Sequence, residues 1–158
     1  MTRINVIPVS ELCDQHLLAE HRKLTRITNN VIRGVYQKHY SDAPTEYVLG
    51  EGHIKFFVNN MDWLYWRYQE LLRECAYRRF NVANIAPSTS EIPGTNWGQT
   101  YEKHLGTPAA IALNRARINQ RLQTMATRGK LQTQYLPCWT RRQAPDWVTC
   151  SLWAHKPI

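Results

Sequence analysis

The chain has 158 residues, enough for one compact domain with a sizeable core, and its apolar share of 43% argues against global disorder. Twenty Lys and Arg against 12 Asp and Glu give a formal charge of +8, and an isoelectric point near 9.6 points to a polyanionic partner, most often nucleic acid. No run approaches the roughly 18 consecutive apolar residues of a spanning helix, and the start "MTRINVIPVSELCDQ" lacks the apolar core of a secretory signal, so a cytoplasmic protein without a membrane partner is expected.

The first predicted helix follows Pro8 and Ser10, a candidate N-cap, and runs to about Ile27. Leu12, Leu17, Ala19, Leu24 and Ile27 give it a partial apolar stripe, and "TNN" with Gly34 predicts an irregular connection after it. "IKFFV", 54–58, reads as buried connecting chain, because no partner strand is evident.

A second helix follows Asn60. Met61, Leu64, Tyr65, Tyr68, Leu71, Leu72, Cys75 and Ala76 recur at three- and four-residue spacing, and Arg67, Glu70, Arg73, Glu74 and Arg78 are assigned to the opposite face. Its aromatics fit core packing better than base stacking.

The third helix opens at "GTPAA", with Thr107 at the N-cap and Pro108 at the first helical position. Ala110, Ile111, Ile118 and Leu122 would face inward, and Arg115, Arg117 and Arg121 would face solvent. The Pro-, Gly- and Ser-rich stretch 86–99 predicts a surface loop. From Gly129 onward Tyr135, Trp139, Trp147 and Trp153 alternate with Arg141, Arg142 and Lys156, a mixture that suits nucleic-acid contact or core closure equally.

The expected fold is therefore all-α: one compact domain of three main helices with long loops. Residues 1–128 would form the helical domain and 129–158 an aromatic, basic extension packed on it. A monomer is expected.

Metal chemistry is disfavoured. Cys13, Cys75, Cys138 and Cys150 show no CxxC pairing and read as reduced thiols. His16 and His21 are five apart, HxxxH is missing, and no carboxylate cluster, Gly-rich phosphate loop or GxSxG elbow occurs. No metal or cofactor is expected.

Two constellations carry possible chemistry. Thr2 follows Met1 and is small enough to permit removal of the initiator, which exposes an α-amine. Such an amine titrates near about 8, so a useful fraction is neutral and nucleophilic towards a sugar carbon or aldehyde. Neighbouring Arg3, Arg22 and Arg26 would lower its pKa further. A Met-Thr start alone distinguishes nothing. The second constellation lies in "LLAEHRKLTR", 17–26. At about 100° per residue, Gln15, Arg22 and Arg26 fall within about 40° of one another, with His16 and Lys23 on an adjoining strip and Glu20 further round. That surface suits consecutive phosphates or a solvated basic face. Arg115, Arg117 and Arg121 would add phosphate contacts from another helix.

"MTRINVIPVSELCDQHLLAEHR", "YVLGEGHIKFF" and "ELLRECAYRRFNV" together resemble the pyrimidine-dimer DNA glycosylase/AP lyases, the endonuclease V type of UV-repair enzyme. The resemblance covers roughly residues 1–125 and implies a compact helical fold acting on double-stranded DNA with a damaged or abasic nucleotide. It implies that the Thr2 amine attacks C1′, releases the base and forms an imine, after which elimination nicks the strand. It also implies that a nucleotide is flipped out of the duplex. By the same resemblance Arg3, Gln15, Arg22, Arg26 and Arg117 match phosphate-gripping positions, and Arg121 stands for a family lysine.

The departure is Lys23, where the family carries the glutamate that stabilises the developing sugar cation. His21 likewise stands in place of a tyrosine. Glu20, one turn back, is a candidate substitute carboxylate if the backbone shifts. Three readings follow: a base-excision glycosylase/lyase, in full or biased to the lyase step; a catalytically impaired DNA-binding protein of the same fold; and an enzyme that uses Lys23 itself as the attacking amine.

Overall fold

A computed structural model describes residues 4–83 and 106–133. Among them the chain is helical, with no strand. A single 3-10 turn, Val9–Glu11, leads into α1 (Asp14–Ile32); α2 (His53–Val58), α3 (Met61–Tyr77) and α4 (Pro108–Thr127) follow. No described helix is long and apolar enough to cross a membrane. The stretch 86–99 and the tail beyond Thr133 lie outside the described residues.

Helix α1 begins later and ends later than the expected 11–27. Cys13 occupies its N-cap with extended backbone and no side-chain cap bond. The cap comes instead from a distant residue: the Thr133 hydroxyl accepts from the Asp14 N–H at 3.0 Å, satisfying one of the orphan donors of the first turn. At the other end, Thr28 turns its hydroxyl onto the Thr25 carbonyl at 3.0 Å, and Val31 is fully buried. The "TNN" stretch therefore continues the helix. It stops where Gly34, at φ 70°, allows the Val35 N–H to reach the Asn30 carbonyl at 2.8 Å and its own N–H to reach Val31 at 3.0 Å, the doubly bonded Schellman ending.

Residues 54–58, expected to be connecting chain, fall instead within the short helix α2. Phe56, Phe57 and Val58 are all buried, so a helical turn lets three consecutive apolar side chains reach the core at different angles. Helix α3 occupies its predicted span. Asn60 stands at the N-cap but does not cap with its side chain; its amide donates to the Phe56 carbonyl at 2.6 Å. Thr107 caps α4 as expected, accepting from the Ala110 N–H at 3.2 Å.

The core forms where α1 lies against α3. Leu17, Leu24, Ile27 and Val31 meet Leu64, Tyr68, Leu71 and Cys75, and Ile4, Ile7 and Leu12 close it from the N-terminal chain. Each such side chain contributes about 1.5–3 kcal/mol on burial. Two arginines assigned to the outer face of α3 are in fact buried. Arg67 pairs with Glu20 and Arg78 with Asp14 and Glu74. Arg67 and Arg78 sit four before and seven after Leu71, on its own helical stripe, so burial follows once carboxylates of α1 are there to meet them.

Candidate functional site

Residues 4–7 enter the protein as extended, non-helical chain, and their backbone groups need partners from elsewhere. Helices α2, α3 and α4 each supply one, and α1 holds the Asn5 side chain. From α2, His53 Nε2 accepts from the Ile4 N–H at 3.2 Å. Its Nδ1 lies 2.8 Å from the Val48 carbonyl, so Nδ1 carries the proton and Nε2 keeps its lone pair. Tyr47 donates its hydroxyl to the Ile4 carbonyl at 3.1 Å. From α4, Asn114 Oδ1 accepts from the Val6 N–H at 2.9 Å, while its Nδ2 donates to Asn5 Oδ1 at 2.9 Å. Asn5 in turn donates to Glu20 Oε2 of α1 at 2.5 Å. From α3, Arg67 donates to the Ile7 carbonyl at 2.7 Å. His53 is aimed by Gly52, whose φ of 87° and whose Cα hydrogen facing Pro44 (a Cβ would meet Pro44 Cγ at 2.9 Å) both require glycine.

On the outer side of α1, Arg22 and Arg26 are exposed and Lys23 is half-buried. Arg22 Nε donates to the Leu18 carbonyl at 3.2 Å, which lays its guanidinium along the helix. None of the ion pairs among the described residues includes Arg22, Lys23, Arg26, Arg117 or Arg121. These five cations of α1 and α4 thus stand outside the described ion pairs.

Glu20 is turned to the opposite side. It is fully buried, 2.8 Å from Arg67 Nε through Oε1 and bonded to Asn5 through Oε2. Asp14, the other acid of α1, is bound to Arg78 and to Thr133. Both carboxylates of this helix are thus committed to the interior or to its first turn, and neither reaches the Arg22–Arg26 face.

Gln15 does not present a free amide. Its Nε2 donates to the Lys130 carbonyl at 2.9 Å, and its Oε1 accepts from the Gln132 N–H at 3.1 Å, so the amide clamps 130–132 to the start of α1. His16 is half-buried, with an enclosed Nδ1 that has no hydrogen-bond partner among the described residues. Burial, with Arg121 adding repulsion, lowers its pKa to about 4. His21 is buried, stacked on Tyr68 with centroids 5.1 Å apart, and lowered in pKa by burial and then by Arg22.

Arg117 is half-buried and donates to Gln120; Arg121 is exposed. Arg115 does not join them, contrary to expectation. It grips Glu11 with two bonds, 2.9 Å through Nε and 2.5 Å through Nη2, because two residues of helix turn it about 160° away from Arg117. Cys13 and Cys75 are buried free thiols whose pKa burial pushes up. No group of three metal-ligating side chains occurs among the described residues. Thr2 and Arg3 lie outside them.

Sequence reasoning missed His53, Tyr47, Asn5 and Asn114. One signal was available: Asn114 falls in the buried stripe Ala110, Asn114, Ile118, Leu122, where a lone polar residue implies a specific buried partner. His53 sits inside the "YVLGEGHIKFF" motif but has no local feature that names Ile4 as its target.

A family model described as pyrimidine dimer DNA glycosylase matches residues 1–87. The match takes in the N-terminal chain, α1, α2 and α3, and covers more than half of the 158 residues. Helix α4 lies beyond it.

Proposed function

Since this chain belongs to the pyrimidine dimer DNA glycosylase family, a family of DNA-repair enzymes, we propose that it is an N-glycosylase with abasic-site lyase activity working through the Thr2 α-amine. The observation that carries this reading is the cationic face of α1. Arg22 and Arg26 are exposed and free of described carboxylates, as a phosphate-binding face requires. With Met1 removed, the neutral Thr2 nitrogen attacks C1′ of the damaged nucleotide and the C1′–N bond breaks, the base leaving with the electron pair. Ring opening gives an imine. Loss of a C2′ proton then expels the 3′ phosphate and cuts the strand. Arg3, Arg22, Arg26, Arg117 and Arg121 hold backbone phosphates and offset the cost of the flipped nucleotide.

A second reading has its own observation. Glu20, the acid of α1 within one turn of Lys23, is buried and held by Arg67 and Asn5. The developing sugar cation then meets an ammonium, and base release is slowed or abolished while DNA binding persists. The lyase step, which starts from an aldehyde and expels no base, is spared. Borohydride trapping separates the two. Wild-type protein is incubated with one duplex carrying an abasic site and another carrying a cyclobutane pyrimidine dimer. An adduct mapped to Thr2 supports the enzyme, and an adduct on the abasic duplex alone marks a lyase-biased one. No adduct on either, with DNA still bound, selects the binding protein.

A further inference from the structure

We propose that His53 and Asn114 are positioning residues that aim the N-terminal amine at C1′. The inference rests on Thr2 being the nucleophile.

Four hydrogen bonds fix the chain just inside that residue. The peptide groups on both sides of Ile4 are pinned, at the N–H by His53 and at the carbonyl by Tyr47, which sets the direction in which the chain leaves towards Thr2. Two residues on, Asn114 takes the Val6 N–H and also holds Asn5. Two residues of chain span at most about 7 Å, so the Ile4 anchor bounds where the amine can lie. Ile4 is fully buried, and Asn5 and Val6 nearly so; water cannot replace a lost acceptor without opening the core.

His53 is suited to this task by its tautomer. Donation from Nδ1 to Val48 leaves Nε2 able only to accept, so the ring cannot flip without losing both bonds. The anchors come from α2 and α4, and none of the described hydrogen bonds or ion pairs joins them to Arg22 or Arg26. Amine placement and phosphate binding therefore depend on different side chains and can be separated by substitution.

The test uses full-length protein with a duplex carrying an abasic site and borohydride, measuring the trapping rate at saturating DNA alongside the Kd for the same duplex. His53→Phe keeps the ring volume and removes both bonds. Its trapping rate per folded molecule should fall by about 100-fold, the usual consequence of misplacing a reacting group by about 1 Å, with Kd unchanged within about threefold. His53→Gln returns an acceptor to the Nε2 position and should recover most of that loss. Asn114→Leu, which loosens the other end of the segment, should give the same split, and it carries the test if His53→Phe does not fold.

An unchanged trapping rate in a folded variant overturns the inference while leaving the Thr2 reading intact. So does a rate that falls only in proportion to DNA affinity, or a Gln variant no better than Phe. Failure of the wild-type protein to form any Thr2 adduct overturns the Thr2 reading, and this inference with it.

Discussion

Glu20 and Arg67 meet inside the protein, Oε1 to Nε at 2.8 Å, with Glu20 fully buried and Arg67 3% exposed. The pair joins α1 to α3 and reaches the N-terminal chain on both sides, through Asn5 and through the Ile7 carbonyl. Removing one partner of such a pair strands the other charge without water, at a cost of about 3–5 kcal/mol. Glu20→Ala is therefore expected to lower the urea midpoint sharply, whereas Glu20→Gln, which can still bond Asn5, loses less. If Glu20→Ala were as stable as wild type, the carboxylate would be free for chemistry after all.

Arg22 and Arg26 stand outside every described ion pair and should act by releasing counterions from DNA. Arg22→Ala and Arg26→Ala are each expected to reduce the slope of log K against log salt by about 1, equally for damaged and undamaged duplexes. Arg115→Ala serves as the control, because its guanidinium is held by Glu11; it should leave the slope almost unchanged. Fluorescence anisotropy across a salt series decides between them.

Arg79 adopts φ 62° and occupies the same Schellman position after α3 that Gly34 takes after α1. Its N–H reaches Ala76 at 2.9 Å, and Phe80 N–H reaches Cys75 at 2.8 Å. A left-handed backbone strains a residue with a Cβ by about 1 kcal/mol. Arg79→Gly relieves that strain but widens the unfolded ensemble, so a net gain of up to about 1 kcal/mol is expected in thermal unfolding.

His16 gives the stability a pH dependence of definite sign. In the fold its pKa is about 4, below the ordinary value of 6.5, so between those values the unfolded chain binds a proton that the folded chain refuses. Its contribution is present above about pH 6.5 and is lost as pH falls towards 4, for a total of roughly 3 kcal/mol. His21 shifts in the same direction and adds to it. The informative quantity is a difference: His16→Leu should show a flatter fall in unfolding free energy than wild type between pH 7 and pH 5.

The contrast between what the sequence reveals and what it hides follows from contact range. Helices α3 and α4 were legible because their apolar spacing, and the Thr107–Pro108 start, are local signals. The true start of α1 was hidden because its cap is Thr133, 119 residues away. Arg67 and Arg78 looked like surface residues by type; their positions on the Leu71 stripe said otherwise, yet only the carboxylates of α1 explain why charges are tolerated there. Gln15 and Arg115 matched a basic face by composition, and each is engaged by a partner that no periodicity reveals. The cationic pair Arg22 and Arg26 was legible because two exposed residues four apart need no third element to share a face.

On the proposed reading, base release turns on Lys23. It lies between Arg22 and Arg26 in sequence, half-buried on a helix whose two acids are both engaged elsewhere. A carboxylate there would stabilise the oxocarbenium-like sugar as the base departs; an ammonium opposes it. At about 4 Å and an effective dielectric of 20, exchanging one for the other changes the barrier by several kcal/mol, on the order of several powers of ten in rate. Lys23→Glu is therefore expected to raise base release from a dimer-containing duplex by at least about 100-fold. Kd should move by less than about tenfold, because one charge among several phosphate contacts is altered. Lys23→Gln, which removes the repulsion without supplying attraction, should fall between the two. The assay is single-turnover release on a cyclobutane-dimer duplex, with imine formation on an abasic duplex measured in parallel. If Lys23→Glu is no faster than wild type while Lys23→Gln abolishes trapping, the lysine is itself the attacking amine, and the adduct will map to residue 23.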